Sequence, residues 1–190
     1  MQCARTPADN RRLLGSLIEA VARTKSTVRA ARDLFFKYDG SRFYMSRDGA
    51  DREYESYGVS RDLERQWMRE LTARHLAALN KPGNWWTLNF LVHHRDTSHL
   101  EVIIGSPPLG EVWQRTAYLE LMLDYIGACQ SAGAARSQIA SALEAVQIHA
   151  IDLVRSTRSD ASRARAARVL EDARRRSQKL SRYLNRRQET

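Results

Sequence analysis

His93, His94, Asp96, His99 and Glu101 form the one concentration of ligand or acid–base side chains in the sequence. If Arg95–Ser98 make a turn between two strands, His94 and His99 face each other about 5 Å apart at Cβ, and His93 points to the other side. Two imidazoles with Asp96 are a candidate set for a divalent metal. Metal-activated water beside a cationic surface would hydrolyse phosphodiesters. The spacing matches no recognised metal motif, however, and polar residues at a hairpin tip are expected on solvation grounds alone. A metal-dependent nuclease built on His93, His94 and His99 therefore ranks last among the functional expectations.

A second group is defined by charge. Arg168, Arg175, Lys179, Arg182 and Arg186 recur at spacings of seven, four, three and four, which at about 100° per residue puts them on one side of a helix. Their stripe is roughly 27 Å long, enough to follow several phosphates of a nucleic acid backbone. Guanidinium groups suit that task because they offer phosphate oxygens a planar fork of donors. On the opposite side Ala166, Leu170, Ala173, Ser177, Leu180 and Leu184 form a seam of mostly small residues. Such a seam implies shallow packing or pairing with a copy of the same helix. A solvated face, with Glu171 and Asp172 at its edges, is the competing account of the stripe.

Weaker signals add little. Asp48, Asp51, Glu53 and Glu55 lack the alternation and central Gly of a calcium loop and read as a solvated segment. Tyr38, Phe43, Tyr44, Trp85, Trp86 and Phe90 would stack on bases if exposed, but aromatic residues at strand positions usually belong to the core. There is no Gly-rich phosphate loop, nucleophile elbow, supported Cys–His pair, zinc finger or RNP-type aromatic motif. No cofactor is implied.

The 190 residues suffice for one hydrophobic core with a small appended unit. Hydrophobic residues at 43% and charged residues at 28% are ordinary for a globular chain. Cys3 and Cys129 are too few for a disulfide framework, which fits a reducing, cytoplasmic setting. Arg11 and Arg12 ahead of Leu13–Ile18 resemble the start of a signal peptide, but Asp9 and Glu19 spoil the pattern. No stretch approaches the ~18 apolar residues of a membrane span. The net charge of +9 is lopsided: from Leu153 onward twelve cationic residues face four anionic ones, and before it nineteen face eighteen. Arg outnumbers Lys by 27 to 4. Codon bias explains that choice of cation, but not why the excess lies at one end.

The elements that must position these groups read, in order, as helix, hairpin, helix, hairpin and three helices. Leu14, Leu17, Ile18, Val21, Val28, Ala31 and Phe35 give a helix from Pro7 to about Phe35. Asp39-Gly40 between two aromatic runs predicts a first hairpin. Ser46–Gly58 reads as a surface loop with a helical turn near Tyr54 and Tyr57. Ser60 caps a helix carrying Leu63, Trp67, Leu71, Leu76 and Leu79, which Asn80–Gly83 stops. Trp85–His93 and Leu100–Ile104 are β-rich and predict a second hairpin. Three helices follow at about Glu111–Ala132, Ala134–Arg158 and Asp160–Arg187. The expected fold is thus α+β and mainly helical, a small antiparallel sheet of two hairpins packed on helices. Residues 1–109 would form the body, and 110–190 a helical C-terminal part packed on it as one unit.

These features predict a non-enzymatic accessory or regulatory protein that binds the DNA or RNA backbone through its last helix. The alternative is a protein-interaction module, of the inhibitor or immunity type or an assembly subunit, that uses this helix on an acidic protein partner or for homodimer formation. No membrane partner is expected. Either salt or replacement of Arg175 and Lys179 by Glu should abolish retention on nucleic acid.

Overall fold

A computed structural model describes residues 24–188, with side chains described as far as 182. All regular structure among the described residues is helical. The first helix, α1, covers residues 24–37. It is followed by α2 (Arg42–Arg47), α3 (Asp51–Ser56), α4 (Arg61–Leu76), α5 (Trp85–His94), α6 (Leu100–Ile104), α7 (Val112–Ser131), α8 (Arg136–Ser156) and α9 (Asp160–Gln188). The predicted stretch from Pro7 to residue 23, with the signal-like run and Cys3, lies outside the described residues. The chain divides between Leu71 and Thr72 into two compact units, a division that falls inside α4.

Among the described residues the antiparallel sheet expected from the sequence is absent, and for them the α+β assignment is corrected to all-α. In the first unit the Asp39-Gly40 turn exists, with both residues at positive φ (48° and 69°), but it joins α1 to α2. Ser41 then caps α2 by accepting from the Tyr44 amide at 3.3 Å. Gly40 is required twice over. Its φ disfavours any L side chain, and a Cβ there would lie 2.6 Å from Met68 Cε and 2.8 Å from Phe35 Cζ. The Phe35 ring sits 5.5 Å from Trp67 and 6.0 Å from Tyr54, and these rings form the core with Ala31, Met45 and Leu71. Glu64 accepts from Tyr54 Oη at 2.9 Å and pairs with Arg42 at 2.7 Å. The Arg42 guanidinium in turn lies 4.2 Å above the Tyr54 ring.

In the second unit the presumed strands are α5 and α6. Thr87, Leu88, Phe90 and Leu91 are all buried, so α5 is apolar through most of its girth because it is covered. Short apolar runs of this kind have no periodicity that separates a buried strand from a buried helix. Arg95 ends α5 in the left-handed conformation (φ 54°), and the Asp96 carboxylate accepts from the Ser98 amide at 3.1 Å. This turn chemistry was legible in the sequence, but it serves two helices. Buried Asn84 fastens the approach to α7: its amide donates to Leu79 O at 2.9 Å and Pro107 O at 2.8 Å, while its Oδ1 accepts from the Leu109 amide at 3.3 Å.

Helix α7 is the centre of this unit and packs on α5, α6, α8 and α9. Tyr118, Leu119, Met122, Tyr125, Ile126 and Cys129 are buried around it. Among the described residues no helix is long and apolar enough to cross a membrane.

Candidate nucleic-acid interface

Ser159 begins α9 by accepting from the Ser162 amide at 3.4 Å, and Asp160 in the first turn favours the positive end of the helix dipole. The helix is 29 residues long, about 43 Å. Ala166, Val169 and Ala173 are buried at 0%, 4% and 0% exposure. Most of its packing is on α8, with α7 as a second support. The small residues of the seam let α9 approach α8 closely, so the shallow packing expected from residue size does not hold. Ser177 adds a hydrogen bond, its Oγ accepting from Gln147 Nε2 on α8 at 2.9 Å. Ala166, Ala173 and Ser177 of the face foreseen for pairing with a second copy thus pack within the same chain, and the Leu184 side chain lies outside the described ones.

Two arginines outside the expected set act as fasteners. Arg165 holds Glu120 of α7 with a two-pronged contact, Nε–Oε1 2.7 Å and Nη2–Oε2 2.5 Å. Arg176 donates to the Leu123 carbonyl at 2.7 Å and pairs with Asp172 at 2.7 Å. Burial works against ionisation of Asp172, but hydrogen bonds from Arg175 and Arg176 outweigh it and hold the carboxyl below its ordinary range.

Arg168, Arg175, Lys179 and Arg182 are all exposed on the side of α9 opposite the buried seam. Arg174 is exposed beside them. Within the ridge Arg175 is tied to Asp172, while Arg168, Lys179 and Arg182 have no ion pair among the described residues. The Arg186 side chain lies outside the described ones. The row is held on a helix that α7 and α8 fix in place, so its charges are presented with little ordering of the backbone left to do on binding.

The histidines are not brought together as a site. His93 and His94 end α5, with ring centroids 4.9 Å apart, and His94 lies 4.6 Å from Phe90. His99 precedes α6, where its Nε2 is 3.3 Å from Asp96 Oδ2 and its amide donates to Tyr125 Oη at 3.1 Å. Glu101 accepts from Gln138 at 2.9 Å. The strand pair that would have set His94 opposite His99 does not exist. Among the described residues no group of three or more His, Cys, Asp or Glu side chains is arranged to hold a metal. Burial pushes the Cys129 thiol above its ordinary pKa, which disfavours the nucleophilic thiolate.

An aromatic feature was assigned to the wrong side of the molecule. Phe90 is buried as expected, but Trp86 is 55% exposed and Trp113, overlooked in the sequence, is 52% exposed. Trp85 stacks on Trp86 with centroids 4.4 Å apart and meets Trp113 edge-on at 6.0 Å. The three indoles make a surface patch at the first turns of α5 and α7. Sequence spacing gave no sign of it, because Trp113 follows Trp86 by 27 positions and comes near only through the packing of α5 on α7.

Comparison with known proteins finds no matching family model, no matching curated protein and no matching solved structure.

Proposed function

We propose that the protein is a non-enzymatic nucleic-acid-associated accessory protein that holds the phosphate backbone with the outer face of α9. The observation that carries this reading is the exposed row Arg168, Arg175, Lys179 and Arg182, of which, among the described residues, Arg175 alone has a carboxylate partner. Like charges along one ridge repel, and their excess is relieved when phosphates replace the missing carboxylates. The exposed faces of Trp86 and Trp113 in the same unit support the reading further, because indoles stack on bases without regard to sequence.

Fluorescence anisotropy of labelled duplex and single-stranded oligonucleotides against the full chain tests the proposal. Four phosphate contacts give log K against log salt a slope of about −3.6 on duplex DNA. Replacing Arg168 and Arg182 together by Glu should flatten that slope by about two units and weaken binding on all sequences alike. An absence of binding at low salt, or binding indifferent to the double replacement, would overturn the proposal. If the purified chain instead shows the ratio of absorbance at 260 to 280 nm of protein alone and captures an acidic protein through the same residues, the ridge is a protein-docking surface.

A further inference from the structure

Asp172 lies at the edge between the seated side of α9 and its outer ridge, its side chain 23% exposed against 68% for Arg175. At about 100° per residue, the positions three and four further on fall to either side of it, one turn along the helix. Both are arginines, and each takes one carboxylate oxygen. Arg175 Nη2 donates to Oδ1, and Arg176 Nη2 lies 2.7 Å from Oδ2. Arg176 also reaches inward, its Nη1 donating to the Leu123 carbonyl of α7 at 2.7 Å. The carboxylate is thereby tied through Arg176 to α7, and its other oxygen is offered to the ridge. Arg168, Lys179 and Arg182 have no ion pair among the described residues.

We infer that Asp172 sets the affinity of the ridge by filling the phosphate site of Arg175 in the free protein, a role that rests on the backbone-binding reading of α9. Carboxylate and phosphate oxygens present the same kind of acceptor to a guanidinium fork, so one replaces the other. A nucleic acid must break the Arg175–Asp172 pair to use Arg175, whereas Arg168, Lys179 and Arg182 exchange only water. Removing the competitor leaves the number of phosphates contacted unchanged and tightens the hold on one of them. Arg176 stays on the carboxylate throughout, so the charge of Asp172 remains compensated after Arg175 has swung away. The effect therefore travels through Arg175 and not through net charge.

An exposed ion pair three residues apart on a helix shifts an equilibrium about two-fold. A charge-assisted hydrogen bond in a buried setting shifts it by more than about ten-fold. A carboxylate anchored on one side and open on the other falls between them, at about five-fold.

Anisotropy titrations of the full chain against one labelled duplex test the role. Asp172→Asn should tighten binding about five-fold while the slope of log K against log salt stays at about −3.6. Glu171→Gln is the control of equal charge, since Glu171 is exposed and has no ion pair among the described residues. It should change the affinity by less than about two-fold. In a chain that already carries Arg175→Gln, Asp172→Asn should bring no gain beyond that of the control. Leaving Asp172 in place gives a second reading: Arg175→Gln should weaken binding about five-fold less than Arg168→Gln does. Urea midpoints of the variants show that α9 stays seated. Equal gains from Asp172→Asn and Glu171→Gln, a gain that persists without Arg175, or equal losses on replacing Arg175 and Arg168 overturn the inference and leave the interface standing. If neither the native chain nor Asp172→Asn binds an oligonucleotide, the interface is refuted and the role of Asp172 falls with it.

Discussion

His149, half-buried on α8, is held below its ordinary pKa, chiefly by burial and then by the Arg115 guanidinium, with Asp152 acting in the opposite sense. The folded protein therefore keeps this imidazole neutral where the unfolded chain takes up a proton, at about pH 6.5. Acid through that window favours the unfolded state, so the stability linked to His149 is full above it and declines below it. Thermal melts between pH 7.5 and 5 should show this decline, and His149→Gln should make the curve shallower; identical slopes would exclude the effect. Arg115 itself pairs with Asp152 at 2.6 Å while its Nε is buried without a hydrogen-bond partner. At this scale the sequence was informative wherever a residue's own backbone preference decides. The positive φ at Asp39-Gly40, the cap at Ser60 and the polar turn after His94 were all readable. What those residues join was not, because a turn residue specifies a dihedral angle and not the partners on either side.

Among the elements, the three helices after Gly110 fall close to the spans their apolar spacing indicates, since each is long enough for the 3.6-residue period to show. Helices α5 and α6, with 10 and 5 residues, are too short and too thoroughly apolar for that. Their β-branched and aromatic residues follow strand propensity until burial against α7 overrides it. Helix α9 shows a different limit. Its small seam was visible, but close packing on α8 depends on shape, which residue volumes alone misjudge. Ala173 is fully buried in that contact, so Ala173→Leu should cost about 1–3 kcal/mol through overpacking. Ala167→Leu on the exposed side should cost almost nothing. Urea midpoints of the two variants measure the contrast, and equal midpoints would mean that α9 is not seated on α8 as described.

Over the whole molecule, the positive excess that the sequence places after Leu153 separates into two populations. Arg165 and Arg176 hold α9 to α7, and Arg168, Lys179 and Arg182 face outward without an ion pair among the described residues. Net charge identified the region, but only packing distinguishes an arginine that ties from one that is free to bind. The histidine cluster fared worse, because its proposed geometry rested on a sheet that does not form. The tryptophan patch could not be read at all without the arrangement of α5 on α7. That patch gives the protein an optical property. Two indoles stacked with centroids 4.4 Å apart and planes 22° from parallel have transition dipoles close enough to couple as an exciton pair. The native circular dichroism should carry a paired positive and negative indole band that Trp86→Phe removes while the helical signal persists. A couplet that survives the replacement would mean that Trp85 and Trp86 are not its source. If present, the couplet provides a label-free spectroscopic reporter of anything that inserts between or settles upon those rings.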